Sequence, residues 1–202
     1  MVRYLIGAGI ALPLMALVLF SSRGKNPASE SASETLNNFD YVFDPIGDLI
    51  DNNPTGERVT LRYFNESEFA GWFDKMNPDL LKKLDEFRHR WGFPVTISPH
   101  ADAVGREDPT SRSQHNYSLW GEVRAIDVFP RNSIGGYINS AAERKRALQI
   151  AKDIGFTGVG LYTDTKPGNM IHLDVRNNRS PRSPALWSRV AGQYRNINEV
   201  LA

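Results

Sequence analysis

Acidic and imidazole side chains in the second half of the chain have the types and spacing that bind metal ions. His172 and Asp174 occupy alternate positions of MIHLDV (170–175), so they share one face of a predicted strand while apolar residues occupy the other. Asp127 lies between apolar neighbours in VRAIDVF (123–129), which also predicts a strand. A carboxylate in such surroundings is costly to bury unless a cation pairs with it. The pattern therefore indicates a cation at the polar face.

Composition restricts the ligands available to that cation, because the chain contains four histidines and no cysteine. A catalytic Zn²⁺ ion without cysteine takes three ligands from imidazoles and carboxylates and keeps a fourth position for water. His115, Asp127 and His172 supply two imidazoles and one carboxylate from three separate segments, a set of the kind that such a site requires. Of the other histidines, His89 lies in the basic run RHR and is expected at the surface, whereas His100 lies in a loop after a predicted strand.

The elements that must position these residues mix helices and strands without strict βαβ alternation. Capping residues and apolar periodicity predict helices that begin after Asn65, Asn77 and Ser140, and Ser183-Pro184 is typical of the start of a last helix. Apolar runs and alternation predict strands at 57–64, 93–98, 123–129, 158–162 and 170–175. This order favours an α+β fold, in which helices flank a small antiparallel or mixed sheet.

The N-terminal region differs from the rest in composition. Residues 4–20 carry no charge, and a helix of that length spans roughly 25 Å, close to the thickness of a bilayer core. Bulky residues end this stretch where a cleaved secretory signal needs small ones, so we expect an uncleaved transmembrane helix, with a cleaved signal as the alternative. The predicted organisation is a membrane anchor at 1–25, an acidic flexible linker at 26–56 and a domain at 57–202.

Charge is distributed unevenly along the 202 residues. Seven acidic and no basic residues lie between Asn26 and Glu57, so the net charge of +1 on the whole chain leaves about +8 elsewhere. A near-neutral total argues against a general nucleic-acid-binding protein, and no nucleic-acid partner is expected.

Two separated motifs carry a family resemblance: SQH (113–115) with AIDVFP (125–130), and GVGLY (158–162) with IHLDVR (171–176). They resemble motifs of the zinc D-alanyl-D-alanine carboxypeptidases and L-alanyl-D-glutamate endopeptidases, which cut peptidoglycan and share the fold group of the hedgehog signalling domain. The resemblance covers about residues 77–176. It implies zinc binding by the same three residues, His115, Asp127 and His172. The matching positions are Ser113, Gln114, His115, Gly121, Ala125, Asp127, Gly158, Gly160, Tyr162, His172 and Asp174.

The chain departs from the family pattern at the ligands. The family usually places its Asp seven residues after the first His, whereas Asp127 follows His115 by twelve. Glu122 stands at the interval of seven and is therefore a rival ligand. Asp127 is preferred because AIDV matches the strand context, while Glu122 follows a glycine in a predicted loop.

A second departure concerns the group that would take a proton during catalysis. Asn169 occupies the position, three residues before the last His, where several family members carry an acid, and an amide cannot accept a proton. Asp174 is the first choice for the catalytic group, and an orienting role for it, with its carboxylate fixing a metal ligand, is weighed equally. Asp164 and His100 are the other candidates.

The resemblance also implies substrate contacts and a location. Arg106 or Arg112, in the loop before the first motif, would grip a substrate carboxylate, and Ser113 would contribute to the same contact. The expected function is that of a membrane-anchored zinc metallopeptidase that hydrolyses peptidoglycan stem peptides or cross-bridges, on the periplasmic or cell-wall side of a membrane or in a virion membrane. The alternative is a noncatalytic, membrane-anchored wall-binding or virion structural protein.

Overall fold

The computed structural model describes residues 58–202 and divides them among three helices, six strands and three 3-10 turns. The helices are α1 (Pro78–Trp91), α2 (Tyr117–Trp120) and α3 (Ala141–Ile154). The strands are β1 (Val95–Ile97), β2 (Ala125–Pro130), β3 (Gly158–Tyr162), β4 (Met170–Asp174), β5 (Ala185–Val190) and β6 (Gln193–Arg195). The 3-10 turns are Glu66–Phe69, Phe73–Lys75 and Ile197–Val200.

The expected N-terminal anchor and linker lie outside the described residues. Within 58–202, no helix is both long and apolar enough to cross a membrane.

All six strands form one mixed sheet, which confirms the α+β expectation. The strand order is β1-β2-β4-β3-β5-β6, and every neighbouring pair is antiparallel except β3 and β5, which are parallel. Apolar side chains on one face of the sheet, such as Ile126, Ile171 and Val159, belong to the same core as those of α1 and α3. Alternation along the strands therefore leaves the opposite face for polar side chains.

The two long helices have the ends that their sequences predict. Asn77 caps α1 by accepting hydrogen bonds from the Asp79 and Leu80 amides, with Pro78 in the first turn. Ser140 and Glu143 form a capping box at the start of α3. Gly155 ends α3 at φ 89°, a left-handed conformation that costs glycine little.

The strand predicted at 57–64 is wrong for the described part of that segment, which is irregular from residue 58 onward. The amides of Arg62 and Tyr63 donate to Oδ1 of Asp85 on α1 instead of to another strand. The helix expected after Asn65 is also divided into two 3-10 turns, because Ala70 and Gly71 adopt positive φ angles.

The helix predicted from Ser183 is wrong as well, since residues 185–190 form strand β5. Trp187 and Arg189 alternate with Ser188, whose side chain is buried. A tight turn at Ala191 and Gly192, both with positive φ, then leads to β6. Strand β5 pairs with β3, so the main-chain groups of β5 form hydrogen bonds with an edge of β3 that would otherwise be open.

Candidate metal centre

Three side chains from distant parts of the chain meet on the polar face of the sheet. Oδ1 of Asp127 lies 2.9 Å from Nδ1 of His172 and 3.5 Å from Nε2 of His115, and the two nitrogens are 3.2 Å apart. His115 and His172 are buried, and Asp127 is partly buried. The three residues predicted as metal ligands are therefore brought together, with one possible ligand atom of each within 4.8 Å of the others.

The sheet and one loop position these atoms. Asp127 on β2 pairs directly with His172 on β4, so their side chains project side by side from adjacent strands. His115 comes from the segment before α2, and its main-chain carbonyl accepts a hydrogen bond from the amide of Arg106. Glu122, the rival ligand, instead accepts hydrogen bonds from Asn77 and Arg124 and takes no part in the cluster.

The outer nitrogens of both imidazoles face hydrogen-bond acceptors, and this sets where the ring protons lie. Nδ1 of His115 donates to the carbonyl of Val104 at 3.0 Å, and Nε2 of His172 donates to Oδ2 of Asp174 at 3.0 Å. In the neutral rings, the inner nitrogens therefore carry lone pairs. Two lone pairs and a carboxylate oxygen then point at one another, so a proton or a metal ion must separate them.

The geometry fits a metal ion. Ligand atoms bound tetrahedrally at about 2.0 to 2.1 Å from Zn²⁺ lie roughly 3.3 Å apart, and the three observed separations run from 2.9 to 3.5 Å. Two imidazoles and one carboxylate are also a donor set that zinc and several other divalent transition metals accept.

Opposite charges hold the acidic groups of the cluster ionised. Burial acts to raise the pKa of Asp127, but hydrogen bonds and charge from His115 and His172 outweigh it and hold that pKa well below its usual range. Burial also acts to raise the pKa of Asp174, but hydrogen bonds and charge from Arg176 and His172 outweigh it, so this pKa is lowered as well. For His172, burial lowers the pKa, while hydrogen bonds to Asp127 and Asp174 raise it, and the net result is a pKa of about 9.

The cluster lies in an open cavity of about 690 Å³ that is rich in cationic side chains. Of the described residues that line it, two are acidic, Asp102 and the ligand Asp127. The basic residues of its wall are Arg106, Arg112, Lys166, Arg176 and Arg189. Ser113, the second predicted substrate contact, also lines the cavity. The Nε atom of Arg106 is buried without a hydrogen-bond partner among the described residues.

The candidates for proton transfer occupy different places. Asp174 is fully buried behind His172, where it accepts hydrogen bonds from that ring and from Arg176, and these contacts favour the orienting role. Asp164 accepts from Arg189 and from the Gly192 amide. Asn169 is buried, with its side-chain oxygen bound to Arg144 of α3. His100 is exposed and lines the cavity.

Sequence reasoning missed an aromatic wall beside the metal ligands. The Trp187 ring of β5 lies 5.1 Å from that of His172, and its Nε1 donates to the Tyr162 hydroxyl. Trp187 fits there because Gly160 on β3 has no side chain, since a Cβ at that position would lie 2.5 Å from the indole. The glycines of GVGLY (158–162) could have indicated this close approach.

Comparison of the chain with protein-family models, with curated proteins and with solved structures finds no match. Functional inference consequently depends on the residues and geometry of this site.

Proposed function

We propose that the protein is a zinc-dependent peptidase that cleaves stem peptides or cross-bridges of peptidoglycan. The convergence of one lone-pair atom each from His115, Asp127 and His172 at an open cavity is the observation that carries this proposal. A divalent metal ion held by these residues lowers the pKa of water and polarises a peptide carbonyl. The motif resemblance supplies the substrate class, and the cationic cavity suits peptides rich in carboxylates.

The residues around the ligands have separable roles in this proposal. Asp174 fixes the His172 ring through Nε2, and Arg176 holds the Asp174 carboxylate in turn. Arg106 lines the cavity, and its guanidinium would bind a substrate carboxylate through two parallel hydrogen bonds. The Ser113 hydroxyl accepts a hydrogen bond from the His115 amide and lies at the same wall.

The wider organisation belongs to the same proposal. In this proposal the six-stranded α+β sheet, which carries Asp127 and His172 on adjacent strands, is the scaffold of a hedgehog-like peptidase. The uncharged run at 4–20 would anchor the peptidase domain to a membrane on the side that faces the wall, or in a virion membrane, and the acidic stretch at 26–56 would be its flexible linker.

A noncatalytic wall-binding protein is the second candidate, and Asn169 is the observation that favours it. Its amide stands where several members of the resembled peptidase family carry an acid. The side-chain oxygen of Asn169 accepts a hydrogen bond from Arg144 at 2.7 Å, and an amide cannot accept a proton from water. Such a protein would keep the metal site and the cationic cavity, and it would bind stem peptides without cutting them.

Metal content and muropeptide cleavage together decide between these functions. The full-length protein in detergent is expected to bind about one zinc ion and to cleave muropeptides in a chelator-sensitive way. Asp127→Asn removes the charged ligand and should lose both properties. Asp153→Asn, the same change at an exposed position of α3, should keep them. Zinc binding without cleavage would support the noncatalytic candidate, and an absence of zinc binding would contradict both.

A further inference from the structure

The acidic groups considered for catalysis, and Asn169, are all held by neighbouring residues. Asp174 is fully buried behind His172, and Asn169 is held by Arg144. Asp164 is held by Arg189 and by the Gly192 amide. The cavity lining, in contrast, includes an imidazole that the ligand cluster does not use, that of His100.

The loop that carries His100, residues 98–104, is bonded to two of the three candidate ligands. The amide of Ser98 donates to the Asp127 carbonyl at 2.9 Å, and the Asp127 amide donates to the Ala103 carbonyl at 2.9 Å. The Val104 carbonyl accepts the Nδ1 proton of His115. Both ends of the loop are buried, while His100 at its tip is exposed. The position of His100 is thus coupled directly to the metal centre.

Hydrogen bonds within the loop orient the imidazole. The His100 carbonyl accepts from the Ala103 amide at 3.0 Å, and the His100 amide donates to the Ser98 hydroxyl at 3.4 Å. Nδ1 of the ring accepts from the Asp102 amide at 3.4 Å. In the neutral ring the proton consequently lies on Nε2, which makes that atom a hydrogen-bond donor on a side chain that lines the cavity.

We propose that Nε2–H of His100 donates a hydrogen bond to the carbonyl oxygen of the scissile peptide, where negative charge develops when water adds. This inference rests on the proposed peptidase function. The attacking species is hydroxide, from a water that would lose its proton to solvent once a metal ion lowers its pKa. As the hydroxide oxygen bonds to the carbonyl carbon, the π electrons of the carbonyl move onto its oxygen, and the His100 imidazole keeps its hydrogen. Removal of one such donor typically lowers kcat by about 10² to 10³-fold.

Two substitutions separate a donor from a base. His100→Ala removes both properties and is expected to lower kcat about 10² to 10³-fold, with KM and zinc content little changed. His100→Gln keeps an N–H donor of similar reach but cannot act as a base, so it should recover a large part of the lost rate. His89→Ala is the matched control, because His89 is exposed and lies outside the cavity lining.

Binding of a phosphinate analogue of the stem peptide gives a readout that does not depend on turnover. His100→Ala should weaken the phosphinate about 10²-fold and leave the affinity for the uncleaved peptide unchanged. Equal rates for wild type and His100→Ala would overturn the role of His100 as a donor without affecting the proposed peptidase function. A His100→Gln variant as slow as His100→Ala would do the same. Zinc-loaded wild type that cleaves no muropeptide would instead overturn the proposed function, and the assignment with it.

Discussion

At the scale of single residues, the two roles considered for Asp174, catalytic base and orienting carboxylate, require different contacts. A carboxylate that acts as a base must reach the reacting water, whereas one that orients a ligand must reach the far side of the imidazole. Asp174 contacts the outer nitrogen of His172 at 3.0 Å and is shielded from solvent. These contacts favour control of the metal ligand over proton transfer to substrate.

Asp174→Asn is therefore expected to weaken zinc binding about 10 to 100-fold, because the neutral amide polarises His172 less and loses its ion pair with Arg176. Competition against a chromophoric chelator measures this affinity. Asp153→Asn provides the matched control on α3, where Asp153 accepts a hydrogen bond from Gln149. Unchanged zinc affinity together with lost cleavage would contradict the orienting role and support Asp174 as the base.

At the scale of elements, sequence patterns predicted the helix ends that depend on interactions between residues close in sequence. Caps at Asn77 and Ser140 define α1 and α3, because they satisfy helix-end amides within a few residues. The errors arose where distant partners decide. The amides of Arg62 and Tyr63 donate to the Asp85 carboxylate, so they are not available for pairing in a sheet. Residues 185–190 form a strand because they pair with the edge of β3. Neither partner can be identified from the local sequence.

The contact between β3 and β5 gives a prediction about the wall of the site. Gly160→Ala would place a Cβ 2.5 Å from the Trp187 indole, so the ring must move. Overpacking of this kind costs about 1 to 3 kcal/mol of unfolding free energy, which urea denaturation measures. Zinc affinity should also fall, because the displaced indole lies against His172.

A double-mutant cycle tests whether that contact is the cause. In a Trp187→Ala background the indole is absent, so Gly160→Ala should cost less than about 0.5 kcal/mol. An equal cost in both backgrounds would show that the alanine strains the strand itself and that the indole is not involved.

At the scale of the whole domain, the site joins a loop, β2 and β4 from positions 57 residues apart in sequence. The placement of Asp127 and His172 on one face could be predicted from residue type and strand alternation, because the sheet brings alternate polar residues to one face. His115 lies in a loop, so only its residue type and the motif resemblance indicated it as the third candidate ligand. The hydrogen bond from His115 to the Val104 carbonyl could not be predicted, because nothing in the local sequence shows that these two loop positions meet. The orienting contact of Asp174 was one of the two roles that its place on the His172 face suggested. The same network predicts that, without a bound metal ion, a doubly protonated His172 would donate through Nδ1 to Asp127 and through Nε2 to Asp174.

The stability of the metal-free domain is consequently expected to depend on pH. The pKa of His172 is about 9 in the folded protein, above the ordinary value of about 6.5. A raised folded-state pKa means that protonation contributes stability fully below pH 6.5 or so, and that this contribution is lost as the pH rises through 9. Urea denaturation from pH 6 to 10 should show a loss of about 3 kcal/mol in metal-free protein.

Zinc should remove that dependence, because the ion takes the place of the proton between the inner nitrogens and Asp127. At pH 7, binding must then release about one proton per zinc, which calorimetry in buffers of different ionisation enthalpy measures. His89→Ala should release the same number, because His89 is hydrogen-bonded to Tyr63 and takes no part in the ligand cluster. Zinc binding at pH 7 without proton release would show that His172 is already neutral at that pH. It would contradict the prediction that a second proton on His172 lies between the imidazoles and Asp127 before the metal binds.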